Sequence, residues 1–272
     1  MPLTGIEIFK LLPKKNCGEC GVPTCLAFAM NLAQGKAELD ACPYISDEAR
    51  AQLEEVAAPP IREVVIGSDG RQVKVGGETV LFRHEKRFEN PPGIAILISD
   101  MMDDVEVDGR IERLNTLSYD RAGFIMRPEM AALRADSGDA TKFANLVQRV
   151  MDKSDCSLIL MSYDVDMHAT ALELCAQRRP LLYAAISENF EPMLELAKEH
   201  QCPLVVKGNG LEDVADLTAK ASEAGLKDII IDSGARTLKQ AFYDHIAIRR
   251  GALVGKIREL GYPTIVLPYE IT

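Results

Sequence analysis

From Ile94 onward, short apolar runs alternate with longer stretches of helical period. The runs Ile94–Ser99, Leu158–Ser162, Leu181–Ile186, Leu204–Lys207, Ile229–Asp232 and Thr264–Leu267 read as strands. In Ile94-Ala95-Ile96-Leu97-Ile98 the apolarity is continuous rather than alternating. That marks a strand buried on both faces, as parallel strands are. Between the strands, Met167–Gln177, Phe190–His200, Leu211–Ala224 and Ala235–Leu260 carry helical periodicity, the last broken at Gly251. β–α units recurring roughly every 25 residues favour a (β/α) barrel over an open doubly wound sheet. The interval from Asp100 to Ser154 is longer, with room for one or two helices and an extra strand at Phe124–Met126.

The six predicted strands are fewer than a closed barrel of this class needs, and the chain stops just past the last of them. Parallel edges left open in this way invite pairing. The pattern therefore reads as the N-terminal part of a longer protein, or as a barrel whose gap a partner covers.

Upstream, Arg62–Ile66, Gln72–Val75 and Thr79–Arg83 are separated by Ser68-Asp69-Gly70 and Gly76-Gly77, the turn signals of a small meander. Pro59-Pro60 and Pro91-Pro92-Gly93 bracket it. Before the first proline pair the pattern predicts three short helices. Thr4 caps the first, Pro13 stops it, and Ile8, Leu11 and Leu12 share one side. Thr24 caps Cys25–Ala33, whose apolar stripe is Leu26, Ala29, Met30 and Ala33, with Gly35 near its end. Ser46 caps the third, with Asp47 and Glu48 in its first turn and Leu53 and Val56 inside. The expected organisation is a helical unit at 1–57, a linker and meander at 58–92, and a TIM-barrel-like α/β domain at 93–272.

A unit the size of 1–57 is marginal on an apolar core alone. Its cysteines change the picture. Cys17, Cys20, Cys25 and Cys42 follow the spacing C-x2-C-x4-C-x16-C. Zinc usually sits between two separate two-ligand knuckles, and here there is one. A cubane iron–sulfur cluster takes a tight run plus a distant cysteine, often followed by proline, as in Cys42-Pro43. Gly18 and Gly21 would let backbone N–H groups approach the cluster sulfurs. Cys25 at a helix start would meet the positive end of the dipole, which suits a negatively charged centre. Unrelated buried thiols or disulfides are the plain third reading.

Net charge is −10, against nucleic acid and anionic membrane as partners. There is no basic-plus-apolar leader and no apolar run long enough to span a bilayer. The cytoplasm follows, and reduced cysteines agree with it. Cys156, Cys175 and Cys202 are scattered and read as small buried residues.

Other stretches carry weaker signals. Lys207-Gly208-Asn209-Gly210 and Asp232-Ser233-Gly234 follow strands, as tight turns or as a pterin or phosphate site on the C-terminal face. Asp166-Met167-His168 is similar to the D-x-H-x-x-G signature of cobalamin proteins but lacks its glycine; helix capping by Asp166 is the simpler reading. Asp103-Asp104-Val105-Glu106-Val107-Asp108 reads as a solvated acidic loop or as a cation site, the loop being the simpler reading. His84, His200 and His245 show no ligand spacing.

The run Leu12-Pro13-Lys14-Lys15-Asn16-Cys17-Gly18-Glu19-Cys20-Gly21, with Pro23-Thr24-Cys25-Leu26-Ala27-Phe28-Ala29 and Cys42-Pro43, closely resembles the large (gamma) subunits of corrinoid/iron–sulfur proteins of the acetyl-CoA pathway. The resemblance implies a low-potential 4Fe–4S cluster on Cys17, Cys20, Cys25 and Cys42. It implies a methyl carrier built on a cobalt corrinoid, with the cluster reducing inactive Co(II) to Co(I). The methyl group would come from a methyl-tetrahydrofolate methyltransferase and pass to acetyl-CoA synthase/CO dehydrogenase. The partner would be a small barrel subunit, giving a heterodimer. Such proteins continue into a C-terminal corrinoid-binding domain with no counterpart here, so no corrinoid residues are carried over. Two other readings remain: a pterin-dependent barrel methyltransferase, and a zinc knob that docks a barrel to a partner.

Overall fold

The computed structural model describes residues 5–271, save 34, 35, 38, 47, 48, 51, 52, 54–58, 69, 83, 87 and 88. The chain divides into two compact units, Met1–Pro59 and Pro60–Thr272.

The first unit is built on α1 (Gly5–Leu11) and α2 (Cys25–Ala33). The helices cross closely, because a Cβ on Gly5 would overlap Met30 Sδ. Thr24 Oγ1 accepts from Ala27 N at 3.1 Å, the expected cap. The buried face of α2 is Cys25, Phe28 and Ala29, while Leu26 and Met30 are half exposed. The expected stripe has the right period but is set about one residue off. The bulky Phe28 and the Cys25 thiol, rather than Leu26 and Met30, define the inward side. Ile8, Leu12 and Leu53 complete this small core. Ser46 Oγ accepts from Ala49 N at 3.2 Å, the start of the expected third helix. The expectations placed on Thr4, Gly35, Asp47, Glu48 and Val56 lie outside the described residues.

The second unit is α/β and TIM-barrel-like, with a six-stranded parallel sheet flanked by helices. Its strands are β3 (Ala95–Ser99), β6 (Met130–Arg134), β7 (Ser157–Met161), β8 (Leu181–Ala185), β9 (Leu204–Lys207) and β10 (Ile229–Asp232). They pair in the spatial order β10-β9-β8-β7-β6-β3. Side chains alternate between two apolar layers. Leu158, Leu160, Leu182, Leu204 and Val206 face the helices. Ile159, Met161, Leu181, Tyr183 and Val205 face the interior.

The hydrophobic pattern passes over β6. Met130-Ala131-Ala132-Leu133-Arg134 is alanine-rich and carries no β-branched residue, yet it is inserted between β3 and β7. The rest of the long interval is α3 (Asp104–Thr116), the hairpin β4 (Tyr119–Arg121) and β5 (Phe124–Met126), and α4 (Ala140–Lys153). The expected strand at Phe124–Met126 is thus present, as one arm of an antiparallel hairpin.

Two expected strands change. Thr264–Leu267 shrinks to a parallel bridge between Thr264 and Ile231, held by Ile231 N to Pro263 O at 2.8 Å and Ile265 N to Ile231 O at 2.9 Å. Pro263 and Pro268 lack N–H donors, which limits any longer ladder. Thr79–Arg83 is no strand over its described residues. Gly76 and Gly77 both have φ of 82° and turn the chain away, and the Val80 and Leu81 carbonyls accept from the Arg249 guanidinium instead.

The hairpin β1 (Val64–Ile66) and β2 (Val73–Val75) plugs the N-terminal end of the interior. Ser157 Oγ donates to Arg71 O at 2.6 Å, and Arg179 Nη1 donates to Val65 O at 2.7 Å. The wall is open between β3 and residues 263–268, over a cavity of about 690 Å3 lined by Leu97, Met130, Ala132, Ile230 and Leu267 among others. The long helix expected over Ala235–Leu260 is α8 (Leu238–Arg250), then a wide π-type turn at Gly251–Gly255 and a tight turn at Arg258–Leu260.

Glycines after β9 and β10 show why these loops are tight. Gly234 has φ of 77°, and a Cβ there would overlap the Gly208 carbonyl oxygen. Gly208 N in turn donates to Asp232 O at 3.1 Å. Gly234→Ala is expected to lower stability by about 2–3 kcal/mol through strain and backbone overlap. Thermal melting checks this; an unchanged midpoint would remove the close approach as the reason for glycine.

Candidate metal centre

The loop from Pro13 to Thr24 supplies the frame. Lys14, Asn16, Gly18 and Gly21 all have positive φ, at 56°, 50°, 79° and 81°. Gly18 and Gly21 take the left-handed region without strain. Gly21 N donates to Gly18 O at 3.0 Å and closes the turn around Cys20.

Cys25 opens α2 next to the Thr24 cap. Cys42 closes a tight turn, its N–H donating to Leu39 O at 3.1 Å, and Pro43 prevents the turn from continuing. Tyr44 then ties this segment to the loop. Its hydroxyl donates to Glu19 Oε1 at 2.9 Å, and Lys15 Nζ lies 3.8 Å from its ring centre. This clip brings Cys42 back to the loop from seventeen residues beyond Cys25. Cys25 and Cys42 are buried in one small core with Cys20 packed against it, while Cys17 is exposed.

Among the described residues no three Cys, His, Asp or Glu side chains converge closely enough for one metal ion. The fit to a metal group therefore rests on the donor set and its frame. All four candidate donors are thiols, the soft ligands of iron–sulfur clusters and zinc. They are held by a helix start, a loop of left-handed turns and a tyrosine clip.

The other cysteines are buried beside the sheet and its helices. Burial pushes the Cys175 thiol up to about 12 and Cys202 up to about 11, and raises Cys156. Metal-free protein treated with iodoacetamide at pH 8 should therefore be alkylated first in the N-terminal unit, at Cys17, Cys20, Cys25 and Cys42, with Cys156, Cys175 and Cys202 unmodified until denaturant is added. Peptide mass mapping reads this out. Early labelling of Cys175 would contradict the burial.

His168 is fully buried in α5 (Val165–Cys175). Its Nε2 faces the Ser162 carbonyl at 3.0 Å and must donate to it. Burial lowers its pKa, so the ring is neutral and belongs to the packing between helix and sheet. The cap is Asp164, whose Oδ1 accepts from Asp166 N at 3.0 Å; Asp166 lies in the first turn instead. The acidic run is likewise helix rather than loop. Asp103 caps α3, and hydrogen bonds from Arg149 and then Lys153 hold Asp108 down at about 2.

One polar network on the C-terminal face joins Asp232 and Gly234, from a strand-end segment noted in the sequence, to partners that carry no sequence signal. Asp232, at the end of β10, accepts from the Tyr183 hydroxyl at 2.8 Å, from Arg236 Nη2 at 3.0 Å and from Gly234 N at 2.8 Å. Arg236 also pairs with Glu270. Burial, then the Asp232 charge, pushes the Tyr183 phenol far above its ordinary value. Nearby, Lys207 Nζ donates to the Tyr163 hydroxyl at 2.5 Å. Partners 49 and 53 residues apart leave no motif to read.

Residues 63–271 match the family model of the CO dehydrogenase/acetyl-CoA synthase delta subunit. Residues 12–44, which hold all four candidate ligands, match a model described as "Putative Fe-S cluster". The chain is 49% identical to the corrinoid/iron-sulfur protein large subunit of Moorella thermoacetica, over 98% of this chain and 60% of that one. It is 33% identical to an acetyl-CoA decarbonylase/synthase complex subunit gamma of Methanopyrus kandleri, over 98% of this chain and 58% of the relative. For the gamma subunit of Archaeoglobus fulgidus the values are 34%, 97% and 58%. The chain thus spans about three-fifths of the length of these curated relatives. No helix among the described residues is long and apolar enough to cross a membrane. With a parallel barrel-like unit matched almost end to end and a four-thiol segment matched separately, the chain belongs to the CO dehydrogenase/acetyl-CoA synthase delta-subunit family.

Proposed function

We propose that this chain is the electron-transfer part of a methyl-carrying corrinoid/iron–sulfur protein, with a 4Fe–4S cluster on Cys17, Cys20, Cys25 and Cys42. The carrying observation is the four-thiol frame inside the segment that matches an iron–sulfur model. When bound, the cluster supplies single electrons at low potential, which return an oxidised Co(II) corrinoid to nucleophilic Co(I). Methyl groups then pass from a methyl-tetrahydrofolate methyltransferase to acetyl-CoA synthase/CO dehydrogenase. The relatives' names, which include both corrinoid/iron-sulfur protein and acetyl-CoA decarbonylase/synthase subunits, support this assignment.

The residues divide the work. Buried Cys25 and Cys42 anchor the centre, and the α2 dipole and loop N–H groups favour its negative charge. Exposed Cys17 would hold the cluster from the solvent-accessible side of the unit. The barrel unit packs against a small subunit in a cytoplasmic heterodimer, and the corrinoid is held mainly outside residues 1–272. In this reading 1–57 is the cluster domain, 58–92 the linker and hairpin, and 93–272 the barrel.

Anaerobic purification with elemental analysis tests the proposal. About four irons per chain, with the electron paramagnetic resonance of a reduced cubane, are expected. About one zinc and no iron would overturn it and leave a structural knob. Binding of methyl-tetrahydrofolate by the isolated chain would favour a pterin methyltransferase instead.

A further inference from the structure

Asn16 is neither a thiol nor a metal ligand, yet it makes two separate contacts with one ligand residue. Its side-chain Oδ1 accepts from Cys25 N at 2.8 Å. Its own backbone N–H donates to Cys25 Sγ at 3.4 Å. The two bonds close a ring between the loop and the first residue of α2. The ring requires φ of 50° at residue 16, a left-handed value that asparagine tolerates better than other residues with a Cβ. Cys25 N is one of the unpaired donors of the helix start, and the Asn16 amide satisfies it from outside the helix.

We propose that Asn16 is a positioning residue for the cluster. It sets the direction of the Cys25 thiolate and delivers an N–H bond to it, and so raises the reduction potential of the group that Cys25 holds. The inference rests on the cluster reading above. A donor aimed at a thiolate stabilises the more negative, reduced state and therefore makes reduction easier. The side chain and backbone act together, because the amide clip holds the conformation in which the N–H points at sulfur.

Two variants separate the parts. Asn16→Asp keeps an acceptor for Cys25 N, fits the same space and adds a negative charge beside the thiolate. Asn16→Gly keeps the left-handed backbone and its N–H but removes the acceptor. Each is purified anaerobically as the full chain. Iron is counted, and the potential is read by redox titration followed by electron paramagnetic resonance. Asn16→Asp should hold iron like the parent protein and titrate at a lower potential. Asn16→Gly should lose iron faster to a chelator and show a broadened or shifted signal for the reduced state. Lys10→Gln, on α1 outside the loop, should change neither. If both Asn16 variants keep full iron, the parental potential and the parental signal, the positioning role is overturned and the cluster reading stands. If the parent protein itself takes up no iron, the cluster reading fails, and this inference with it.

Discussion

Replacing Cys25 by serine should release most of the iron and unfold the N-terminal unit, while the barrel unit melts as before. The packing explains the separation. Among the described residues, the fully buried core of the first unit is Ile8, Leu12, Phe28, Ala29, Leu53 and the two buried thiols. A core of that size supplies roughly 3–5 kcal/mol at best. A structural metal centre with thiolate ligands contributes on the order of 10 kcal/mol or more. Cys25 is at once a proposed ligand, the first residue of α2 and a member of the core, so serine would remove a soft donor and put a hydroxyl among apolar neighbours. Hydrogen exchange followed by mass spectrometry should show protection lost over residues 5–53 and kept over β6 to β10. Serine at exposed Cys17 should cost iron with less loss of protection. Iron content unchanged in Cys25→Ser would remove Cys25 from the ligand set.

Asp232→Ala should lower the stability of the barrel unit by about 3–5 kcal/mol, the cost of removing a buried carboxylate that pairs with half-buried Arg236 and accepts from Tyr183 and Gly234. Asp232 is only 3% exposed and receives the Tyr183 hydroxyl, Arg236 and Gly234 N together. Alanine leaves Tyr183 without its acceptor in the interior and Arg236 with Glu270 as its remaining carboxylate partner. A unit of this size shifts roughly 2–4 °C per kcal/mol, so a fall near 10 °C in the melting midpoint is expected. Asp232→Asn keeps the volume and part of the hydrogen bonding, and should lose about 1–3 kcal/mol. A melt of Asp232→Ala within about 1 °C of the parent would show that water, rather than the network, satisfies these groups.

Both effects arise at residues whose importance is unequally visible in the sequence. Cys25 belongs to a spaced set within 26 residues, so the chemistry proposed for it is suggested by the chain alone. Asp232 acquires its role from Tyr183 and Glu270, which lie on other elements. The same contrast holds for secondary structure. The strands at Leu158, Leu181, Leu204 and Ile229 are legible because burial on both faces demands uninterrupted aliphatic runs. The strand at Met130–Arg134 is not, because its alanines and methionine suit a helix equally well and only pairing with β3 and β7 extends them. Asp164 and Asp166 stand two residues apart at the start of one helix, and local sequence does not choose between them as cap; the turn after β7 does.

What the chain by itself determined is therefore local and compositional: the thiol set, the turn glycines, the period of the helices and the aliphatic strands of a parallel sheet. These follow from single-residue chemistry and from burial, which act at short sequence separation. Tertiary structure decided the rest. It chose Cys25, Phe28 and Ala29 as the inner face of α2, and brought Cys42 to the loop through Tyr44 and Glu19. It placed a carboxylate, a phenol and a guanidinium together at one end of the sheet. Contacts of this kind depend on which strands become neighbours, and sequence spacing does not encode that.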